Sequence, residues 1–190
     1  MRIELLTTGD EVLDGTIVDT NAGHIERGLD ALGYRVERVT AVRDDQRELE
    51  DALRAITARA DVCITSGGLG PTEDDRTVDA LLAVAGVEAE HDDVAWQHIV
   101  ARYGDRPVPP RNRRQARRPV GGRLLYSEVG TAPGVELAVG SCRVFCVPGV
   151  PREMAWHLDR HVLPALGPAD ASVVRRSVRL VLLGESTAEA

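Results

Sequence analysis

The sequence predicts an α/β fold with a mostly parallel central sheet covered by helices on both faces. Residues 2–8, 34–39 and 61–65 are short runs rich in β-branched and aliphatic side chains. Each is followed by a longer segment whose apolar residues recur at helical spacing. Glycines and capping residues punctuate the boundaries. Strands alternating with helices in this way read as βαβ units, and such units build a parallel sheet.

The elements follow in chain order. Residues 2–8 give the first strand, and residues 9–15 a loop. Thr20 or Asn21 can cap a helix with Ala22, Ile25, Leu29 and Leu32 on one face and Gly33 as its stop. Residues 34–39 form the second strand. Asp45 and Glu48, three residues apart, resemble a capping box. The helix they open carries Leu49, Leu53, Ile56 and Ala60 along one stripe. Residues 61–65 are a short buried strand, and residues 77–85 a helix stopped by Gly86. Further on, residues 92–103 read as a helix, 107–110 as a rigid proline connector and 112–117 as a helical turn. Residues 123–126 are a strand. Residues 135–139 and 142–147 form a hairpin around Gly140 and Ser141. Pro151 suits the first turn of a helix reaching residue 162. Residues 172–183 are again strand-like. Residues 1–168 are therefore one domain, and 169–190 the start of a linker or of a small following domain, truncated or absent.

A chain of 190 residues suits one domain. A domain of this size buries about 70% of its unfolded surface and needs no staple. No stretch approaches the roughly 20 apolar residues of a membrane span. The first residues read as a strand, not a signal peptide. Three cysteines, an odd number, argue against a disulfide framework. Cys142 and Cys146 share one face of an extended segment and read as buried free thiols. A cytoplasmic protein is expected. The net charge of −7 argues against nucleic acid as a partner. The chain contains no lysine, which excludes a Schiff base, a lysine nucleophile and a Walker-type phosphate lysine.

Thr65-Ser66-Gly67-Gly68-Leu69-Gly70-Pro71-Thr72-Glu73-Asp74-Asp75 is the strongest candidate site. It leaves the carboxyl end of a buried strand and enters a helix, the place where open α/β sheets bind ligands. Its glycines let backbone approach a ligand, and helix-terminal N–H groups can hold a phosphate. Glu73 stands where a Rossmann fingerprint needs glycine, and no Lys-Ser/Thr pair makes it a P-loop. Asp74 and Asp75 would repel a phosphate without a cation between. They either hold Mg²⁺ or Mn²⁺ together with substrate oxygens, or only cap the helix. Gly9-Asp10-Glu11 follows another strand and either adds an acidic pair to the same edge or is a solvated turn. Pro148-Gly149-Val150-Pro151-Arg152-Glu153 offers another strand-to-helix turn. Arg111, Arg113, Arg114, Arg117 and Arg118 either steer an anion or form a solvated face. His157 and His161 lack zinc-site spacing to other ligands and read as surface or satisfied residues.

Taken together, these segments resemble the amino-terminal domain of the CinA family. Gly9-Asp10-Glu11-Val12-Leu13-Asp14-Gly15 with Asp19-Thr20-Asn21 is similar to its opening motif. Gly67-Gly68-Leu69-Gly70-Pro71-Thr72-Glu73-Asp74-Asp75-Arg76-Thr77 resembles the central one. Asn112-Arg113-Arg114-Gln115-Ala116, Gly130-Thr131-Ala132-Pro133-Gly134 and Pro148-Gly149-Val150-Pro151-Arg152-Glu153-Met154 follow in the family's order. Ser127, Arg76 and Leu182 depart from it, standing where an asparagine, an aliphatic residue and a glycine are expected.

The resemblance implies a MoaB/Mog-like three-layer αβα sandwich. It implies metal-dependent hydrolysis of a nucleotide pyrophosphate such as ADP-ribose. Gly67, Gly68 and Gly70 would hold phosphate, with Thr72, Asn112 and Gln115 also binding substrate. Asp74 and Asp75 would hold a divalent metal (Mg, Mn or Co) and, with Asp10, act in catalysis. Pro148, Gly149 and Glu153 would form the opposite wall. The alternatives are a molybdopterin-binding or adenylylating protein of molybdenum-cofactor synthesis, and a non-catalytic nucleotide-binding domain. Full-length CinA proteins carry an amidase domain; the roughly twenty residues after Leu166 are too few for a second core, so no amidase activity is expected. The apolar edge Leu180-Val181-Leu182-Leu183 predicts a homo-oligomer, dimer ahead of trimer.

Overall fold

The structure is a computed structural model that describes residues 1–169. Its elements are β1 (Ile3–Thr8), α1 (Asp10–Leu13), α2 (Thr20–Ala31), β2 (Val36–Val42), α3 (Gln46–Thr57), β3 (Val62–Ser66), α4 (Thr77–Ala85), β4 (Ala89–His91) and α5 (Asp93–Tyr103). A 3-10 turn (Pro110–Ala116), β5 (Arg117–Pro119), β6 (Arg123–Leu125), β7 (Gly134–Val139), β8 (Cys142–Val147) and α6 (Pro151–His157) follow. A π turn (Leu158–Val162) and α7 (Leu163–Leu166) complete them. The expected strand over residues 172–183, with its apolar edge, lies outside the described residues.

The main sheet runs β2-β1-β3-β8-β7-β6. β2, β1, β3 and β8 are parallel, and the β8–β7 and β7–β6 pairs are antiparallel. The central strands are largely apolar because both their faces are covered. On one face Leu6, Cys63, Val144 and Cys146 meet Leu49, Leu53 and Ile56 of α3 and Leu81 of α4. On the other, Leu5, Ile64 and Phe145 meet Ile25 and Leu29 of α2 and Met154 of α6. The result is the expected three-layer sandwich. Cys142 and Cys146 fall on one face as predicted, and with Cys63 they are buried free thiols. Burial pushes Cys142 up to about 11 and Cys146 to about 12, so both stay protonated packing groups.

Several boundaries differ from those expected of the sequence. Asp19, not Thr20 or Asn21, caps α2: its Oδ1 accepts from the Ala22 N–H at 3.0 Å. Its Oδ2 accepts from the Thr7 hydroxyl at 2.8 Å, a tertiary bond that decides among three good caps. Asp45 caps α3, but Glu48 accepts from the Arg43 N–H at 3.3 Å instead of closing the box on Asp45. The loop after β1 contains a one-turn helix, and the helix from Pro151 passes through a π turn and runs on to Leu166. β4 pairs with β5 in a small separate ladder that the polar, three-residue strands did not announce.

The register positions the site. Thr7 of β1 is opposite Ser66 of β3, and Ser66 is opposite Val147 of β8. The carboxyl ends of three parallel strands therefore finish level. The loops that leave them, starting at Gly9, Gly67 and Pro148, emerge side by side.

Candidate functional site

The loop between β3 and α4 is held by the protein on every side. The Gly67 N–H donates to Val147 O at 3.1 Å, and Thr77 donates through its N–H to Gly68 O and through its hydroxyl to Gly67 O. Asp75 folds back on its own loop. It accepts from the Gly70 N–H at 2.7 Å, the Thr72 N–H at 2.8 Å and the Thr72 hydroxyl at 2.5 Å. Arg114 donates to Thr72 O and Asp75 O, and Gln115 to Leu69 O at 3.2 Å. Asn112, buried behind Gln115, donates to its amide oxygen at 3.0 Å. Gly68 has φ +67°, a conformation that glycine adopts without penalty. Among the described residues, the Gly68 and Leu69 N–H groups have no protein acceptor.

The neighbouring loop closes against this one. A Cβ on Gly149 would stand 3.2 Å from Gly67 Cα, so only glycine fits comfortably there. Asn21, at the start of α2, ties the two loops with one amide group. Its Nδ2 donates to Ser66 Oγ at 2.9 Å and to Gly149 O at 2.8 Å.

Between these loops lies a cleft of about 470 Å³. Of the predicted site residues, Gly67, Gly68, Gly70, Asp74 and Asp75 line it on one side. Pro148, Gly149 and Glu153 line the other, and Gln115 also reaches it. Thr72, Asn112 and Asp10 do not line it. The Thr72 hydroxyl is taken by Asp75, and Asn112 stands behind Gln115. Asp10 is exposed and paired with Arg43 at 3.3 Å. Asp44 reaches the cleft in its place, accepting from the Thr8 hydroxyl at 2.6 Å. Thr8, Glu11, Thr131, Ala132 and Val150 were not singled out as contacts, although Glu11, Thr131, Ala132 and Val150 sit in the quoted motifs. Nothing in the sequence around Asp44 marks it; β2 brings it there.

The cleft is acidic. Glu11, Asp44, Asp74, Asp75 and Glu153 line it, and among the described residues no arginine or histidine does. The arginine run braces structure instead. Arg114 and Arg117 both bind Asp79 at 2.7 Å, Arg118 pairs with Glu90 and Asp92, and Arg113 lies over Trp96. Neither Asp74 nor Asp75 caps α4, whose first position follows Arg76 without a capping side chain. Glu153 packs its carboxylate against Gly130, where any Cβ would collide with it. Burial raises its affinity for a proton, partly offset by Arg102 and Arg152.

The donor set limits how a divalent metal could be held. Among the described residues no three His, Cys, Asp or Glu side chains gather into a metal cage. Asp75 is committed to its loop, whereas Asp74 is exposed and makes no hydrogen bond among those described. These residues fit a cation held by one carboxylate and completed by ligand oxygens, the usual arrangement for Mg²⁺ on a phosphate.

Of the two histidines expected at the surface or with satisfied rings, His157 is of the satisfied kind and fully buried. Its Nδ1 donates to Glu153 O at 2.9 Å, and its Nε2 accepts from the Gly134 N–H at 3.0 Å and lies 3.1 Å from Leu125 O. Ser127, which departs from the family pattern, accepts from the Val129 and Gly130 N–H groups and shapes the turn that carries Thr131 to the cleft.

Residues 4–168 match the model of a family described as a probable molybdopterin binding domain. The chain belongs to this family. Its relatives include the CinA-like protein of Desulfosudis oleivorans, 41% identical across 98% of this chain and 47% of the relative. The CinA-like protein of Citrifermentans bemidjiense is 42% identical across 98% of this chain and 46% of its own length. The chain thus spans about half the length of the curated relatives it matches. The crystal structure of CinA from Thermoplasma acidophilum superposes with a TM-score of 0.78 at 38% identity, covering 83% of this chain and 94% of that one. MoaB from Thermus thermophilus, at 22% identity, superposes with a TM-score of 0.58 over 87% of this chain and 92% of its own and shares the fold. The CinA resemblance read from five ordered motifs is therefore correct, and so is the MoaB/Mog-like architecture.

Proposed function

We propose that this molybdopterin-binding-family domain binds a nucleotide pyrophosphate, with ADP-ribose the expected example, and hydrolyses it with a divalent cation. The observation that carries this reading is the pairing of two uncommitted N–H groups, Gly68 and Leu69, with a cleft wall of carboxylates that, among the described residues, includes no fixed cation. Converging backbone N–H groups attract phosphate oxygens. The carboxylates repel them unless positive charge arrives with the ligand. Mg²⁺, Mn²⁺ or Co²⁺ held by Asp74 and the phosphates would supply that charge and act as a Lewis acid.

Glu153 is the proton acceptor in this reading. The oxygen of a water bonds to one phosphorus while the bridging P–O bond breaks, and the water's proton passes to Glu153. ADP-ribose would give AMP and ribose 5-phosphate. Asp75 holds the loop in shape, and Asp10, outside the cleft, has no part in the reaction. Molybdopterin, also phosphorylated, is the second reading, favoured by the description of the family. Incubating pure protein with ADP-ribose and each metal, and following AMP, tests the first. Metal-dependent AMP release supports it. Binding of molybdopterin without AMP release from ADP-ribose moves the domain to the second. Nucleotide binding with no product leaves a sensing domain.

A further inference from the structure

The two free N–H groups of the glycine loop are aimed by one residue that stands outside the cleft. They belong to successive peptides, Gly67–Gly68 and Gly68–Leu69. Neither peptide is cis, so each carries its C=O on the edge opposite its N–H. Thr77 holds both carbonyl ends. Its hydroxyl donates to Gly67 O at 2.9 Å and its N–H donates to Gly68 O at 3.2 Å. Thr77 is fully buried and does not line the cleft, whereas Gly68 and Leu69 do. Anchoring both carbonyls on the buried side turns both N–H groups to the other side. The next peptide differs: Leu69 O accepts from Gln115 and the Gly70 N–H donates to Asp75, so both its ends are occupied.

The Thr77 side chain does not serve its own helix. A hydroxyl at a helix start commonly accepts from an N–H of the first turn. α4 has no side-chain cap, and the Thr77 hydroxyl gives its proton to the preceding loop instead. The two anchors differ in kind. The bond from the Thr77 N–H is backbone and survives any ordinary substitution; it fixes the Leu69 N–H. The hydroxyl bond fixes the Gly68 N–H. The peptide it holds lies between two glycines with φ of +109° and +67°, and no Cβ resists its rotation. Turned over, it would present Gly67 O in place of the Gly68 N–H. A carbonyl oxygen repels the phosphate that an N–H attracts.

We propose that Thr77 is a positioning residue for anion binding: its hydroxyl keeps the Gly67–Gly68 peptide turned so that the Gly68 N–H meets a ligand phosphate. The inference rests on the phosphate reading of the cleft. It also divides the anion site in two, one donor held by a side chain and the other by backbone.

The test is a titration of isotope-labelled protein with AMP and Mg²⁺, followed amide by amide by NMR, for wild type, Thr77→Ser and Thr77→Val. In wild type the Gly68 and Leu69 amides should move with AMP, while that of Gly70, held by Asp75, stays. Thr77→Ser keeps the hydroxyl and should bind AMP within about twofold of wild type. Thr77→Val keeps the shape and loses the hydroxyl. Its affinity should fall roughly tenfold or more, as for the loss of one hydrogen bond to a charged group. Its Leu69 amide should still respond to AMP and its Gly68 amide should not, whereas the loss of mere packing would weaken both responses together. Thr77→Val that binds as wild type does, or that binds weakly with both amides still responding or both silent, overturns the role of Thr77 and leaves the phosphate reading standing. If Thr77→Val does not fold, the wild-type pattern decides, because AMP that binds without moving the Gly68 amide overturns the proposal. Wild type that binds no AMP overturns the phosphate reading, and this proposal with it.

Discussion

Replacing Asp75 by asparagine separates two roles that the sequence left open. If Asp75 is the strut of its loop, Asp75→Asn must weaken the fold before any metal or ligand is added. The carboxylate accepts three hydrogen bonds, from two N–H groups and one hydroxyl. Asparagine keeps one acceptor oxygen and turns its NH₂ toward a remaining donor. A hydrogen bond to a charged group contributes about 1.5–3 kcal/mol. Asp75 is half-exposed, which places the loss at the low end, about 1.5–2 kcal/mol. For a domain of this size each kcal/mol moves the melting temperature by about 2–4 °C, so a fall of roughly 3–8 °C is expected in metal-free buffer. Asp74→Asn removes an exposed side chain with no internal partner and should stay within about 0.5 kcal/mol of wild type. It should nevertheless lose metal-dependent turnover. Scanning calorimetry of both variants with EDTA, beside AMP-release assays, reads the two effects apart. An Asp75→Asn protein that melts with wild type yet loses turnover would refute the strut and return Asp75 to the metal.

Three further substitutions probe the cleft and its walls. Glu153→Gln should lower turnover at least about 100-fold, as removal of a general base does, and should also stabilise the fold at neutral pH. Burial raises the folded carboxyl above its unfolded value, so its destabilising charge appears as pH rises through the folded value and vanishes on acidification below the ordinary glutamate range. Melting curves of both proteins across that range should therefore converge at low pH. Gly68→Ala should cost at least roughly 1–2 kcal/mol from its left-handed backbone, and more because its Cβ meets the Thr77 side chain. Its damage is to the loop, not a plug in the phosphate space, so weak phosphate binding must be accompanied by a lower melting temperature. His157 is held neutral by burial, below its usual value. Its stability contribution is complete above the unfolded histidine range and falls as pH drops through it. His157→Gln should therefore melt lower at pH 7 but lose less between pH 7 and 5 than wild type, as followed by circular dichroism.

The strands and helices were readable because the central strands are covered on both faces, which leaves nearly unbroken aliphatic runs. Leu49, Leu53 and Ile56 formed a stripe that had only one face to pack on. The Gly67–Asp75 loop was readable as a site because its place after a buried strand is local information. The roles inside it were not. An aspartate at position 75 can cap, ligate or brace, and only its folded direction, back toward Gly70 and Thr72, distinguishes these. Arg114 and Arg117 looked like free positive charge, but Asp79 lies within reach only once α4 and the 3-10 turn are packed. Asp44 entered the cleft, and Asp10 left it, through the pairing of β1 with β2. Asp19 outranked Thr20 as a cap through a hydroxyl on β1.

The bond from Asn21 to the Gly149 carbonyl joins positions 128 apart in the chain. Gln115 reaches back 46 positions to Leu69. Pairings this distant close late, because loop closure must be met before they reward the chain. A growing polypeptide on the ribosome therefore displays the glycine loop before the distant Asn21 and Gln115 contacts that brace it and its neighbour have formed. Ligand capture becomes possible only after β8 has docked, so a half-made chain cannot sequester the ligand. The same linkage means that a bound ligand holds both ends of the sequence together. It should slow global unfolding rather than the opening of one loop, and hydrogen exchange at Ile64, in the middle of the sheet, would register an occupant of the cleft.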